Sequence, residues 1–273
     1  MKNLSIMLLF ALALCACNGA SDADKAAALV SESRTLVSDG HLNEAKIRLD
    51  SVHHTYPKCV AQRRLAKDLQ DTIVYIEAQR TLAYSDSLLQ VVQPQADPLL
   101  KKFNYEKQDK YEDNGRYVSK LLTTDRNSER CYLQVYVTDQ YETTVKSYYF
   151  GGSELQQKAV ELSVDEEVAR FEGSEHHFEA GGQHSILSIP NERALELLNF
   201  VSSHMGDRIR VNLLGLKGDT ETNYVYYLSD SEKNAMQDTY QLGILMADIK
   251  RLEDAIHISN AQISKFKKKH DML

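Results

Sequence analysis

The chain has 273 residues, of which 42% are hydrophobic and 26% charged, with 12 Gly, 4 Pro, 4 Cys and no Trp. That composition excludes collagen-like, disulfide-framework and wholly disordered chains, and it leaves enough apolar side chain for one large domain or two small ones joined by helical connectors. The formal net charge of −7 argues against nucleic acid as a partner.

Lys2 and the apolar stretch from Leu4 to Leu14 have the layout of an export signal that is too short to remain as a bilayer span. The stretch ends in Leu14-Cys15-Ala16-Cys17. This resembles the lipobox of bacterial lipoproteins, in which a small residue precedes a cysteine that is acylated and becomes the first residue. The resemblance implies a signal peptide over 1–16, Cys17 as the lipid anchor carrying palmitate-type chains, and a protein tethered to a membrane of the cell envelope. Several acyl chains on one residue give stable anchoring, since each buried methylene contributes about 0.8 kcal/mol. An ordinary secretory signal with an incidental cysteine is the alternative. No later stretch has 18 consecutive apolar residues, so the remainder is expected to be tethered and not to span.

Residues 17–23 are mostly small and polar and read as a tether. Over 24–92 the pattern is helical. Leu29 and Leu36 mark one stripe, Gly40 breaks it, and Leu42, Ala45, Leu49 and Val52 restart it before Pro57. The stretch from Gly40 to Pro57 resembles the second half of a tetratricopeptide repeat, although Glu32 and Ser33 depart from that family's first helix. A single repeat cannot bury its own face, so a packing hairpin is expected and a peptide groove is not. Residues 58–92 contain neither Gly nor Pro and carry Leu65, Leu69, Ile73, Ile76 and Ala83 near one stripe, predicting one long helix. The run from Gln93 to Pro98, with two prolines, stops it.

Residues 99–229 change character. Eleven of the 15 tyrosines fall here, and so do 21 of the Asp and Glu residues against 15 Lys and Arg. Period-two alternation places Cys131, Leu133, Val135 and Val137 on one face of a strand and Tyr132, Gln134, Tyr136 and Thr138 on the other. Turn signals at Asn114-Gly115, Gly151-Gly152, Gly181-Gly182 and Gly218-Asp219 divide the region into about seven or eight strands. One helix from the cap Asn191 to Gly206 interrupts them. In residues 230–273, Leu242, Ile249, Ile256 and Ile263 recur at sevens, as do Leu245, Leu252, Ser259 and Phe266, forming a coiled-coil seam. The C-terminal helix and the helix over 58–92 each come to roughly 50 Å at 1.5 Å per residue, so the two are expected to pair antiparallel. The predicted fold is therefore α+β: an N-terminal helical hairpin and a long antiparallel helix pair carrying an inserted, mostly antiparallel β domain with one covering helix.

Two constellations are candidate sites. His176, His177, Glu179 and His184 supply imidazole and carboxylate donors that a hairpin across Gly181-Gly182 would gather around a metal. Their spacing matches no established ligand frame, and a solvated, charged edge hairpin explains the same residues. Tyr132, Tyr136, Tyr224 and Tyr226 are candidates for an aromatic surface that stacks on a sugar or peptide, although tyrosine is also a good strand former. Cys59 and Cys131 are open to a bridge or to existence as two buried thiols. Nucleophile-elbow, Ser-x-x-Lys, P-loop and dinucleotide motifs are absent, so no catalytic residue and no cofactor is assigned.

The whole layout resembles the envelope lipoproteins of Bacteroidota, a likeness of arrangement that brings no activity with it. The expected function is that of a lipid-anchored, non-enzymatic envelope protein, in the periplasm or at the surface, on the inner or outer membrane. It would display a β-rich head to a protein partner or ligand, with homodimerisation through the coiled coil as a variant. A metal-binding or metal-dependent hydrolase module at 175–184, or a glycan-binding head, is the alternative.

Overall fold

A computed structural model describes residues 20–107, 114–123, 129–178 and 184–271, with the backbone alone for 175–178. Cys17, Glu179 and the Gly181-Gly182 turn lie outside the described residues. The chain divides into two compact units, one holding residues up to Ser85 together with Ala255 onward, the other holding Asp86–Asp254.

The helical unit opens with α1 (Asp22–Ser38) and α2 (Leu42–Thr55). Ser21 and Asp24 cap α1 reciprocally: the Ser21 hydroxyl accepts from the Asp24 backbone N–H, and the Asp24 carboxylate accepts from that of Ser21. Gly40 takes φ +85°, the left-handed geometry that ends α1, and His41 N–H donates back to Leu36 O at 2.8 Å. Ala26, Val30 and Ser33 pack against Leu42, Ala45, Leu49 and Val52, and the core extends to Ala66 and Ile73 of α3 (Val60–Val92). The two departures from the repeat pattern fit this packing. Ser33 is fully buried, with its hydroxyl satisfied by Leu29 O at 2.7 Å, and Glu32 turns outward to Arg48 at 2.8 Å.

Within this unit α3 runs antiparallel to the C-terminal part of α6 (Asp230–Lys269). Tyr75 stacks on Phe266 at 4.4 Å, and Lys269 Nζ lies 2.8 Å from both Asp68 and Asp71. Ser259, the one polar position of the seam, is 2% exposed and lines the helix pair with Ala78, where small side chains allow close approach. Other seam residues, Leu242, Ile249 and Leu252, are likewise buried inside this chain. The long helix begins at Val60 and not at Lys58. It is followed by a 3₁₀ turn over Gln93–Gln95 and the short α4 (Ala96–Leu100), where the two prolines were expected to stop the helix. Pro94 and Pro98 fall in first turns, where a missing N–H costs no helical bond.

Among the described residues the β unit holds ten strands in two antiparallel sheets, more than the seven or eight expected. The six-stranded sheet has the order β1 (Phe103–Glu106), β2 (Arg116–Ser119), β3 (Tyr132–Thr138), β4 (Thr143–Phe150), β8 (His184–Pro190), β7 (Glu175–Phe178). The four-stranded sheet has the order β10 (Thr220–Tyr227), β9 (Arg210–Lys217), β5 (Gln156–Val164), β6 (Glu167–Glu172). Leu133, Val135, Leu187 and Ile189 meet Val160, Leu162, Val211 and Leu213 in a shared core, closed by α5 (Asn191–Ser203) through Ala194, Leu197, Leu198 and Val201. Asn191, expected as a side-chain cap, is instead the first helical residue at φ +53°, a conformation asparagine tolerates. A bulge between Gln157 and Ala159 faces Gly215, where a Cβ would collide with the Gln156 carbonyl oxygen, so only glycine fits.

The fold class follows the sequence expectation: helical hairpin, long helix antiparallel to the C-terminal helix, and antiparallel sheets inserted in sequence between them. Cys59 and Cys131 are both free thiols, the first in the helical unit and the second buried in the β unit.

Candidate functional site

Alternation along paired strands builds one side-chain array on the six-stranded sheet, on the face away from Leu133, Val135 and Leu187, although Tyr132 and Tyr148 also pack with the shared core cluster. On β4 the row is Lys146, Tyr148, Phe150; antiparallel register sets it against Ser188, Ile186 and His184 of β8 and against Gln134 and Tyr132 of β3. Phe150 and His184, directly opposite, meet edge to face at 4.5 Å. Tyr132 and Tyr148, also opposite, stack at 4.8 Å and 11°. Lys146 Nζ and the Arg116 guanidinium sit 5.7 and 5.6 Å from the Tyr136 ring centroid, within cation–π reach. Arg116 also pairs with Glu106 at 3.5 Å, whereas Lys146 has no carboxylate partner among the described residues. Burial holds the Tyr148 phenol above its ordinary pKa, so at neutral pH it is an uncharged donor and acceptor.

The structure divides the predicted tyrosine surface in two. Tyr132 and Tyr136 belong to this array, but at 1% and 8% exposure they form its floor and are not open stacking platforms. Alternation assigned their face correctly, yet that face is covered at β3. The accessible part is shifted to Lys146, Tyr148, Ile186, His184 and Phe150, of which Phe150 is 38% exposed. Tyr224 and Tyr226 lie in the other sheet, on β10. There the Tyr224 side chain lies beside the Cys131 thiol, and its ring meets Tyr149 edge-on at 5.5 Å. Tyr226 is packed against the core with a fully enclosed hydroxyl near Glu232, and burial pushes its phenol well above the ordinary range.

Of the proposed metal donors, His184 joins the array as an aromatic partner of Phe150. The backbone of His177 lies opposite Ile186 and that of His176 opposite Leu187; their side chains, like Glu179, are outside the described residues. Among the described residues no three of His, Cys, Asp and Glu converge as a ligand set. Cys131 is in no state to attack: burial raises its thiol pKa, and Sγ is engaged with the main chain of Phe150 at 3.3 and 3.4 Å.

Sequence reasoning missed Lys146, Phe150 and Ile186. The alternating Lys146-Ser147-Tyr148-Tyr149-Phe150 was a usable signal for a face, but the β4–β8 pairing that completes it joins residues more than 30 positions apart. What the array holds chemically is flat apolar rings, phenol and hydroxyl hydrogen-bonding groups, and an ammonium that has no carboxylate partner among the described residues. Comparison with protein-family models, with curated proteins and with solved structures finds no match for this chain.

Proposed function

We propose that this chain is a lipid-anchored envelope protein whose β unit binds an acidic saccharide on the outer face of the six-stranded sheet, without catalysing a reaction. The observation that carries the reading is Lys146: a half-buried ammonium beside an aromatic row, with no carboxylate partner among the described residues. A sugar ring would lie along Phe150, His184 and Tyr148, and its carboxylate would take the place of the missing counter-ion. The anchor part of the proposal is supported by the lipobox likeness at Leu14–Cys17.

Galacturonate oligomers and uncharged cello-oligomers of equal length, titrated into the full chain, distinguish the readings. The acidic oligomer is expected to bind and to perturb tyrosine absorbance, and Lys146→Ala and Phe150→Ala each to weaken it at least tenfold. Binding of both oligomers with equal strength, or acidic binding unchanged in Lys146→Ala, would refute the assignment of this face.

A further inference from the structure

Four strands form the edges of the two sheets, and three of them are protected against pairing with another chain. β1 and β7 are four residues long, and β6 carries Glu167, Arg170 and Glu172. β10 is different. It runs eight residues, pairs with β9 without a break in register, lacks proline and bulge, and has one charged residue, Glu221. Tyr224, Val225 and Tyr227 are 40%, 36% and 44% exposed. A long, regular, weakly charged edge is a template for strand addition.

From this edge we infer that the protein forms a two-fold dimer in which β10 of one copy pairs antiparallel with β10 of another, extending the four-stranded sheet across both. The charges select the occupant and the register. In a continuous antiparallel sheet, directly opposite residues point to the same face, so a two-fold axis normal to the sheet pairs residues of equal parity. Setting Tyr224 on its own counterpart then places Thr222 opposite Tyr226, Asn223 opposite Val225 and Glu221 opposite Tyr227. The Tyr227 ring already holds the Arg208 guanidinium 3.8 Å from its centroid. With strands about 4.8 Å apart, Glu221 of each copy reaches Arg208 of the other. Neither side chain has an ion-pair partner within its own chain among the described residues, and the symmetry satisfies both pairs at once. Of the helical seam, by contrast, Leu242, Ile249, Leu252 and Ser259 are buried inside the chain and the other positions are half-buried, so it offers less open surface than β10.

Light scattering and sedimentation of the full chain in mild nonionic detergent test the inference. The wild type is expected to be dimeric at 100 µM, and Glu221→Arg and Arg208→Glu each to weaken the dimer at least tenfold by setting like charges opposite one another. An equimolar mixture of the two variants restores opposite charges at both contacts and is expected to give a heterodimer of wild-type mass. That recovery also shows that both variants fold. A monomeric wild type at this concentration, dimers in either single variant as strong as in the wild type, or a mixture that stays monomeric would each overturn the pairing.

Discussion

Gln157 links the two sheets, and its removal measures how much that link stabilises the β unit. The side chain is fully buried on β5 at the bulge. Its Oε1 accepts from Ser147 Oγ at 2.6 Å, and its Nε2 donates to Ser147 O at 3.1 Å, to Ser185 O at 2.8 Å and to Ser185 Oγ at 3.0 Å. Gln157→Leu keeps the volume and removes every one of these bonds. A neutral hydrogen bond contributes a net 0.5–1.5 kcal/mol, and a buried donor left without an acceptor costs about 1–3 kcal/mol. Losing the amide and stranding the Ser147 hydroxyl, less the gain from a buried leucine, comes to about 3 kcal/mol. For backbone amides of β4, β5 and β8 that exchange only when the unit opens, that is roughly a 150-fold faster hydrogen exchange at 1.4 kcal/mol per decade. Gln157→Leu combined with Ser147→Ala and Ser185→Ala removes the stranded partners and should recover part of the loss. If the single variant speeds exchange less than fivefold, or the triple variant is no more protected than the single, the link is not what holds these strands.

Four further outcomes are expected. Gly215→Ala drives a Cβ into the Gln156 carbonyl and should cost about 1–3 kcal/mol of β-unit stability, read as a lower urea midpoint with an unchanged slope. Ser229→Ala breaks the capping box, in which the Ser229 hydroxyl and N–H donate to Glu232 at 2.6 and 2.9 Å, and should cost about 1 kcal/mol, visible as faster exchange in the first turn of α6. The hydrogen bond from Lys269 holds the Asp68 carboxyl below its ordinary value of 3.8. Its stabilising share is therefore complete above that value and lost as pH falls through the lower folded one. Lys269→Met should return the carbon-13 titration of Asp68 toward ordinary, and an unchanged curve would dissolve the bridge. Finally, because burial raises the Cys131 thiol pKa, iodoacetamide at pH 7.5 should leave Cys131 unmodified in the native protein and alkylate it in urea, as read by peptide mass spectrometry.

Long helices were legible because their evidence accumulates over many turns. Gly40 and the heptads at Leu242 to Phe266 each point to one outcome, and local propensity agrees with tertiary packing there. The strand count fell short for the opposite reason: β1 and β7 have four residues each, too few for alternation to separate from a loop. The capping box at the start of α6 has a local signature, the Ser-x-x-Glu spacing of Ser229 and Glu232. The buried link at Gln157 had no local signal, since a polar residue at an alternating position reads as solvent-facing until two other strands surround it.

The tyrosines mark where sequence periodicity stops informing. Alternation on β3 puts Tyr132 and Tyr136 on the face away from Leu133 and Val135, and that much holds. Whether such a face meets water depends on cover contributed from elsewhere in the sequence, and β3 is central enough in its sheet to be buried on both sides. The same chemistry one strand over is less covered: Tyr148 is half-buried and Phe150 is 38% exposed. A residue's face is thus set by its own neighbours, while its exposure is set by what other parts of the chain lay over it. In this chain the positions left open, on the β4 row and along β10, are those that sequence alone did not single out as a set.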